Sequence, residues 1–221
     1  MADILQNPIY YIAFHRNEKT EAHLRSRGFL NVHHFPAIDG RDMDILQMAR
    51  KGGLGVRGYS DLLEGRHQHS GLSTRGAIGC TLSHLALWKK CVDENMASIT
   101  IAEEDILIPR SITTATKATI GRMLDGPRPA AFFTTDIHSR NGMWHMQGLH
   151  LYFANQAGCR ALASRVFPID AQTDYYIAHM ADMGFIDIQG DGAVASQSAH
   201  TSSVQDQGSV QCGKTLAPLV A

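Results

Sequence analysis

No apolar run in the sequence approaches the roughly 20 residues that a bilayer-spanning helix needs. Neither sign of charge is in excess. Twenty Lys plus Arg against 21 Asp plus Glu leave a formal net charge of −1. A strongly basic, phosphate-neutralising surface is therefore absent, and nucleic acid is disfavoured as a partner except through a local patch. The four cysteines, Cys80, Cys91, Cys159 and Cys212, form no C-x-x-C pair and no zinc spacing. They read as reduced thiols, and the expected location is cytoplasmic. Met1 to Pro8 lacks a basic start followed by an apolar core, so no signal peptide is expected. Disorder is excluded as well, since 44% of residues are hydrophobic and only 19% charged. The 221 residues fit one domain. A chain of that length buries roughly 70–75% of its unfolded surface and needs no disulfide or metal staple.

Short apolar runs alternate with helical patterns along the chain. Ile9 to Phe14 is aromatic and β-branched and suits a buried first strand. Glu21 to Arg27 can form a helix that Gly28 would end. Val32 to Phe35 reads as a second strand, closed by a turn at Asp39-Gly40. Seven glycines between Lys51 and Gly76 argue against a continuous packed element. That stretch reads as a long surface loop and a candidate lid. Ile78, Leu82, Leu85 and Val92, with Trp88 alongside, recur at helical spacing and predict a helix over Gly79 to Glu94. Ser98 to Ala102, Ala130 to Thr135, Leu149 to Ala154 and Phe185 to Ile188 are further strands. Cys159 to Val166 and Thr173 to Met183 are further helices. The alternation predicts an α/β fold with a mostly parallel central sheet flanked by helices.

Glu103, Glu104 and Asp105 are the most informative residues. Three adjacent carboxylates repel one another and are costly to desolvate without a cation. Here they follow an apolar strand, and ligands collect at the carboxyl ends of strands in open α/β sheets. Oxygen-rich sites of this kind suit Mg²⁺ or Mn²⁺ bridging to phosphate oxygens. A solvated acidic turn between two strands is the alternative.

Gly76-Ala77-Ile78-Gly79-Cys80-Thr81-Leu82-Ser83-His84-Leu85-Ala86-Leu87-Trp88 leads into Ile99-Thr100-Ile101-Ala102-Glu103-Glu104-Asp105. This resembles glycosyltransferase family 25, with its G-E-I-G-C-x-L-S-H-x-x-x-W helix before an apolar strand ending in E-D-D. Phe35-Pro36-Ala37-Ile38-Asp39-Gly40 is similar to the family's F-x-A-x-D-G, and Gly148 to Tyr152 to its G-x-H-A-Y. Pro168 to Asp174 is similar to P-I-D-x-x-x-D, and Ser202 to Gln205 to a late S-S-x-Q. Ala77 stands where the family favours Glu, Glu104 replaces a middle Asp, and Phe14-His15 replaces Leu-Asp in an N-L-D-R element. The resemblance implies a GT-A-like fold. It also implies transfer of galactose or glucose from a UDP-sugar to an acceptor hydroxyl, with inversion and a divalent metal. A glycan such as a lipopolysaccharide core is the default acceptor. The rivals are a hydroxylated protein side chain, a modified DNA base, or a catalytically silent nucleotide-binding module.

Residue by residue, the resemblance implies Glu103 and Asp105 as metal ligands; His200, which belongs to no strong motif, is read as a metal or phosphate contact because neutral imidazole completes many divalent sites. Glu103, Glu104 and His150 would face the donor, and Ser83 and His84 would shape its pocket. His84 reads equally well as a hydrogen-bonded histidine between helix and sheet. Arg16 either reaches a diphosphate with its guanidinium fork or is a surface arginine. Asp39 either contacts a ribose or simply forms the turn. Asp170 can cap the helix that follows it. Asp174 is either the general base that takes the acceptor proton or a carboxylate stabilising that helix start.

Overall fold

Ile9, Tyr11, Ile12 and Ala13 leave almost nothing of the first strand exposed, so it needs pairing on both edges and a layer on both faces. The computed structural model describes residues 4–65, 70–135, 137–146 and 148–197. In chain order its elements begin with β1 (Ile9–Ala13), α1 (Glu18–Ser26), β2 (Val32–Pro36), α2 (Ile45–Arg50), α3 (Val56–Glu64) and α4 (Arg75–Asp93). They continue with β3 (Ser98–Glu103), β4 (Ile106–Leu107), α5 (Thr114–Leu124), β5 (Ala130–Phe133), β6 (Ile137–Arg140), β7 (Met143–Met146) and β8 (Leu151–Asn155). The last are α6 (Gln156–Arg165), α7 (Thr173–Asp182), β9 (Asp187–Gly190) and β10 (Ser196–Gln197).

The central sheet has the order β2-β1-β3-β8-β5-β9. Its pairings are parallel except for those of β8, which runs against both β3 and β5. Five strands thus share one direction and β8 alone is reversed. This is the mostly parallel α/β sheet expected, and it is consistent with a GT-A-like fold. No helix among the described residues is long and apolar enough to cross a membrane.

The period-two alternation of a strand decides what each face meets. On β3, Ile99 and Ile101 join the cluster that holds Leu87 and Trp88 of α4. Ala102 joins the opposite cluster, with Leu24, Ile120 and Phe153. Burying Ile99 and Ile101 contributes about 1.5–3 kcal/mol each. On β8 the same alternation stacks Tyr152 on Phe133 and, on the other face, Phe153 on Phe29.

Local chemistry sets the helix ends. The side chain of Asn17 accepts from the backbone N–H groups of Lys19 and Thr20, capping α1, and Gly28 at φ +95° turns the chain after it. The Thr74 hydroxyl accepts from Ala77 N–H at the start of α4. Asn155 caps α6 through Gly158 N–H at 2.7 Å and also ties down Ala130 N–H.

Two expectations need correction. The stretch from Lys51 to Gly76 holds α3 and the first turn of α4, and it buries Leu54 and Leu72 in a small core with Ile45, Ile78 and Ile169. Several of its glycines mark close approach: a Cβ on Gly55 would lie 2.1 Å from Asp170 Oδ2, and one on Gly58 would lie 2.6 Å from Leu72 Cδ1. Asp170 does not cap α7; its Oδ1 accepts from Gly58 N–H at 2.8 Å and anchors α3 instead. Gly40 opens the expected turn, with Met43 N–H donating to its carbonyl at 3.3 Å, and it also packs against the start of α4, where a Cβ would meet Arg75 O at 2.0 Å. The helices α2, α3 and α5, the β6–β7 hairpin and β10 had no counterpart in the sequence reading. His67, His69, His200, Cys212 and the Ser202–Gln205 segment lie outside the described residues.

Gly79 faces Gly40 across this contact, and a Cβ there would sit 2.3 Å from Ile38 O and 2.7 Å from Gly40 N. These are backbone atoms and cannot rotate away. Gly79→Ala is therefore expected to cost about 1–3 kcal/mol through overpacking, read from the midpoint of urea unfolding. An unchanged midpoint would show that α4 can shift freely at this point.

Candidate functional site

The residues of the acidic triplet point to different sides because the alternation of β3 continues through its end. Glu103 has the parity of Ile101 and lines a cavity of about 240 Å³ beneath α4 and α7. Glu104 lines a separate open groove of about 930 Å³ beyond β1. Asp105 is buried. Glu103 N–H donates to His150 O at 3.0 Å, which places the end of β3 beside the start of β8.

The small cavity is walled by Ser73, Thr74, Ala77 and Cys80 on one side and by Gly148, Gln172, Thr173 and Asp174 on the other. The hydroxyls of Thr81 and Thr173, 2.9 Å apart, tie α4 to the first turn of α7. Asp174 is held by two backbone donors, Gly148 N–H to Oδ2 at 3.0 Å and Tyr175 N–H to Oδ1 at 2.8 Å. Burial raises its pKa and these two bonds offset part of that shift. Gly148 sits at φ +81°, and a Cβ there would meet the His150 ring at 2.4 Å.

Four buried polar atoms around Glu103 have no hydrogen-bond partner: Glu103 Oε2, Asp105 Oδ1, His84 Nε2 and His150 Nδ1. Such orphans are costly, and a bound ligand is one way to satisfy them. His150 Nδ1 lies 3.5 Å from Glu103 Oε2. Burial, with Glu103 next to it, pushes the Asp105 carboxyl up to about 6. Burial pushes His84 down to about 4, so it is neutral.

The sequence candidates divide between the two hollows. Glu103 and Asp174 share the small cavity. Arg16, Asp39 and Glu104 share the open groove with Lys19 and Arg41. Arg16 is engaged by Glu21 through two hydrogen bonds of 2.7 and 2.9 Å. That guanidinium, with help from the Tyr11 hydroxyl, holds the Glu21 carboxyl at about 2. Asp39 forms a forked pair with Arg41, which holds its pKa below the usual range. Ser83 belongs to neither hollow: it is fully buried, donates to Gly79 O and accepts from Ile38 N–H, both at 2.8 Å. It holds α4 against the chain after β2. His84 is also fully buried, with Nδ1 at 2.9 Å from the Tyr152 hydroxyl, which accepts from Trp88 Nε1 at the same distance. It is both the histidine packed between helix and sheet and a group turned toward Glu103.

The family model for glycosyltransferase family 25 (LPS biosynthesis protein) matches residues 11–150. The chain belongs to glycosyltransferase family 25. A Glycosyltransferase 25 family member of Drosophila pseudoobscura pseudoobscura is 34% identical over 91 residues, 41% of this chain and 14% of the relative. The lipooligosaccharide biosynthesis protein lex-1 of Haemophilus influenzae is 42% identical over 41 residues, 19% of this chain and 14% of the relative. A Bos taurus protein named probable inactive glycosyltransferase 25 family member 3 is 33% identical over 70 residues, 32% of this chain and 11% of the relative. The chain thus matches only a small part of the length of these relatives.

The sequence reading of this family 25 chain left Arg41, Cys80 and Thr173 without a role. Arg41 had a signal, since it follows Asp39-Gly40 directly. Cys80 had one too, four residues before His84 and so on the same helix face. Thr173 had none, because its contact is with a helix 92 residues away.

The raised pKa of Asp105 gives a pH test. The folded protein binds the Asp105 proton more tightly than the unfolded chain, so this term stabilises below about pH 4 and is lost as pH rises through about 6. Without divalent ions, Asp105→Asn is expected to stabilise the protein at pH 7.5 relative to wild type. Discounted for solvent near the site, the difference is on the order of 1–2 kcal/mol. It should shrink below pH 4, as read by urea unfolding in chelator. A difference independent of pH would contradict this assignment.

Proposed function

We propose that the protein transfers galactose or glucose from a UDP-sugar to a hydroxyl of a glycan acceptor, such as a lipopolysaccharide core, with inversion at the anomeric carbon. The observation that carries this reading is the pair of orphaned buried carboxylate oxygens, Glu103 Oε2 and Asp105 Oδ1, where β3 ends in a family 25 chain. Two hard oxygen donors of this kind fit Mn²⁺ or Mg²⁺. Glu103 and Asp105 would hold the ion; His200 lies outside the described residues. When bound, the ion would supply positive charge against the diphosphate leaving group.

The two hollows suit the two parts of a donor. The open groove is at the upper end of the roughly 300–1,000 Å³ typical of ligand pockets, and the small cavity falls below that range. The nucleoside diphosphate belongs in the groove and a single sugar ring in the cavity. In the groove, Asp39 can accept from ribose hydroxyls, while Arg16, Lys19 and Arg41 offer donors to phosphate. The pairs Arg16–Glu21 and Arg41–Asp39 are largely exposed on the arginine side. Exposed pairs of this kind are weak, so a phosphate can compete for either guanidinium. Glu103 lines the cavity and its neighbour Glu104 the groove, so the end of β3 borders both.

Asp174 is the base in this reading. Its oxygens each accept one backbone N–H, which fixes the carboxylate and leaves lone pairs for a proton. The upward shift of its pKa moves it toward the poise of a general base. The displacement is a single step: the acceptor oxygen bonds to the anomeric carbon, the bond to the diphosphate oxygen breaks, and the acceptor proton passes to Asp174. The described cysteines are free thiols, which fits the reducing cytoplasm.

The test is release of UDP from a panel of UDP-sugars with Mn²⁺, with and without glycan, hydroxylated-peptide and modified-DNA acceptors. Turnover should require the ion and a glycan acceptor, and Asp105→Ala should abolish calorimetric donor binding. Equal UDP-sugar binding in chelator and in Mn²⁺ would remove the metal role. Asp174→Asn is expected to bind both substrates while turnover falls roughly 10²–10⁴-fold. It would also lose about 1 kcal/mol of stability, because an amide can accept only one of the two N–H groups well. Turnover within about threefold of wild type would remove Asp174 from the role of base.

A further inference from the structure

Hard-oxygen chemistry leaves one feature of the cavity unused. Cys80, His84 and Glu103 each offer one ligand atom, and the three atoms lie within 4.8 Å of one another. Among the described residues this is the group of His, Cys and carboxylate side chains that converges in this way. His84 is fully buried and its Nε2 has no hydrogen-bond partner. Glu103 Oε2 is likewise unpartnered. Cys80 and Glu103 both line the 240 Å³ cavity, which provides a route in for an ion.

We propose that Cys80 Sγ, His84 Nε2 and Glu103 form a zinc-binding site, distinct in ligand chemistry from the oxygen site for Mn²⁺ or Mg²⁺ and sharing Glu103 with it. A thiolate, an imidazole and a carboxylate are a set that zinc prefers, and three protein ligands leave a fourth position open to the cavity. The Trp88–Tyr152–His84 chain supplies the outer support: with the proton on Nδ1, His84 donates to the Tyr152 hydroxyl and turns the lone pair of Nε2 toward the ion. On binding, the Cys80 thiol gives its proton to solvent, and the sulfur–zinc bond replaces it. His150 Nδ1, 3.5 Å from Glu103 Oε2 and unpartnered, stands beside the set. Bound zinc would withdraw Glu103 from the oxygen site, so zinc would inhibit a transferase that depends on it. That consequence alone rests on the proposed activity; the binding does not.

The experiment is titration of the chelator-treated full chain with Zn²⁺ by calorimetry and with Co²⁺ by absorption. One zinc should bind with release of a proton, and cobalt should give a sulfur-to-metal charge-transfer band. Changes in the outer support of zinc ligands already cost about 10–100-fold in affinity, so Cys80→Ser is expected to weaken zinc at least that much and abolish the band. His84→Ala should do the same to affinity. Because His84 is buried and that variant can fail to fold, Cys80→Ser, a near-isosteric change on a side chain that lines the cavity, decides the matter. Zinc bound equally by wild type and Cys80→Ser, a cobalt complex without the sulfur band, or no zinc binding would each overturn the proposal. An absence of Mn²⁺-dependent turnover would not, since the cobalt spectrum reads the site directly.

Discussion

Every part of this site follows from the cost of ending a fully buried strand in carboxylates. β3 is central to the sheet, with Ile99, Ile101 and Ala102 almost completely removed from water, and its last residue is Glu103. A charge in that position needs compensation, and among the described residues no lysine or arginine is paired with Glu103; its ion-pair neighbour is His150. Burial raises the pKa of both neighbouring carboxyls, Asp105 and Asp174, and the Glu103 charge adds to each shift. A fold does not keep such an arrangement for stability, since an apolar replacement would usually be as stable or more so. In the proposed function a bound cation makes up that deficit of positive charge.

The hydrogen-bond chain from Trp88 through Tyr152 to His84 is the second constraint. It runs through the interior from α4 to β8 and back, with all three side chains fully buried. Buried polar chains of this kind fix side-chain orientation inside a core. Here the fixed item is the His84 ring, whose remaining nitrogen has no hydrogen-bond partner. The W and H of one helix and the Y of a distant strand act as one device.

Much of this was legible in the sequence wherever the signal was local. The apolar runs at Ile9 and Ser98 gave strands at the right places, and the 3.6-residue spacing of Ile78, Leu82 and Leu85 gave α4. Glu103 to Asp105 stood out because adjacent carboxylates after an apolar run have no ordinary packing role. What the sequence could not convey was contact between distant segments. The glycines from Gly52 to Gly76 looked like flexibility, yet Gly55 and Gly58 are there because Asp170, Leu72 and Ile169 press against them. Ser83 looked like part of a ligand pocket because it adjoins His84, but successive helix residues point about 100° apart, and Ser83 faces Ile38. Asp39 and Arg16 were read singly, and only the fold reveals that each already has a partner of opposite charge.

The reversed direction of β8 has a consequence for how the molecule can be divided. Because it runs against β3, it starts where β3 ends, and that is why Gly148 and His150 reach the site at all. It also joins β3 to β5, so the two halves of the sheet meet only through it. The stretch that carries the family signature, residues 11–150, stops immediately before this strand. Cut there, the chain would keep most of its recognisable motifs while losing the seam of the sheet, the partner of His84 and the helix that bears Asp174. The recognisable unit and the folding unit of this protein are therefore different lengths of chain. The site belongs to the longer one, assembling only after contacts that span most of the sequence have formed.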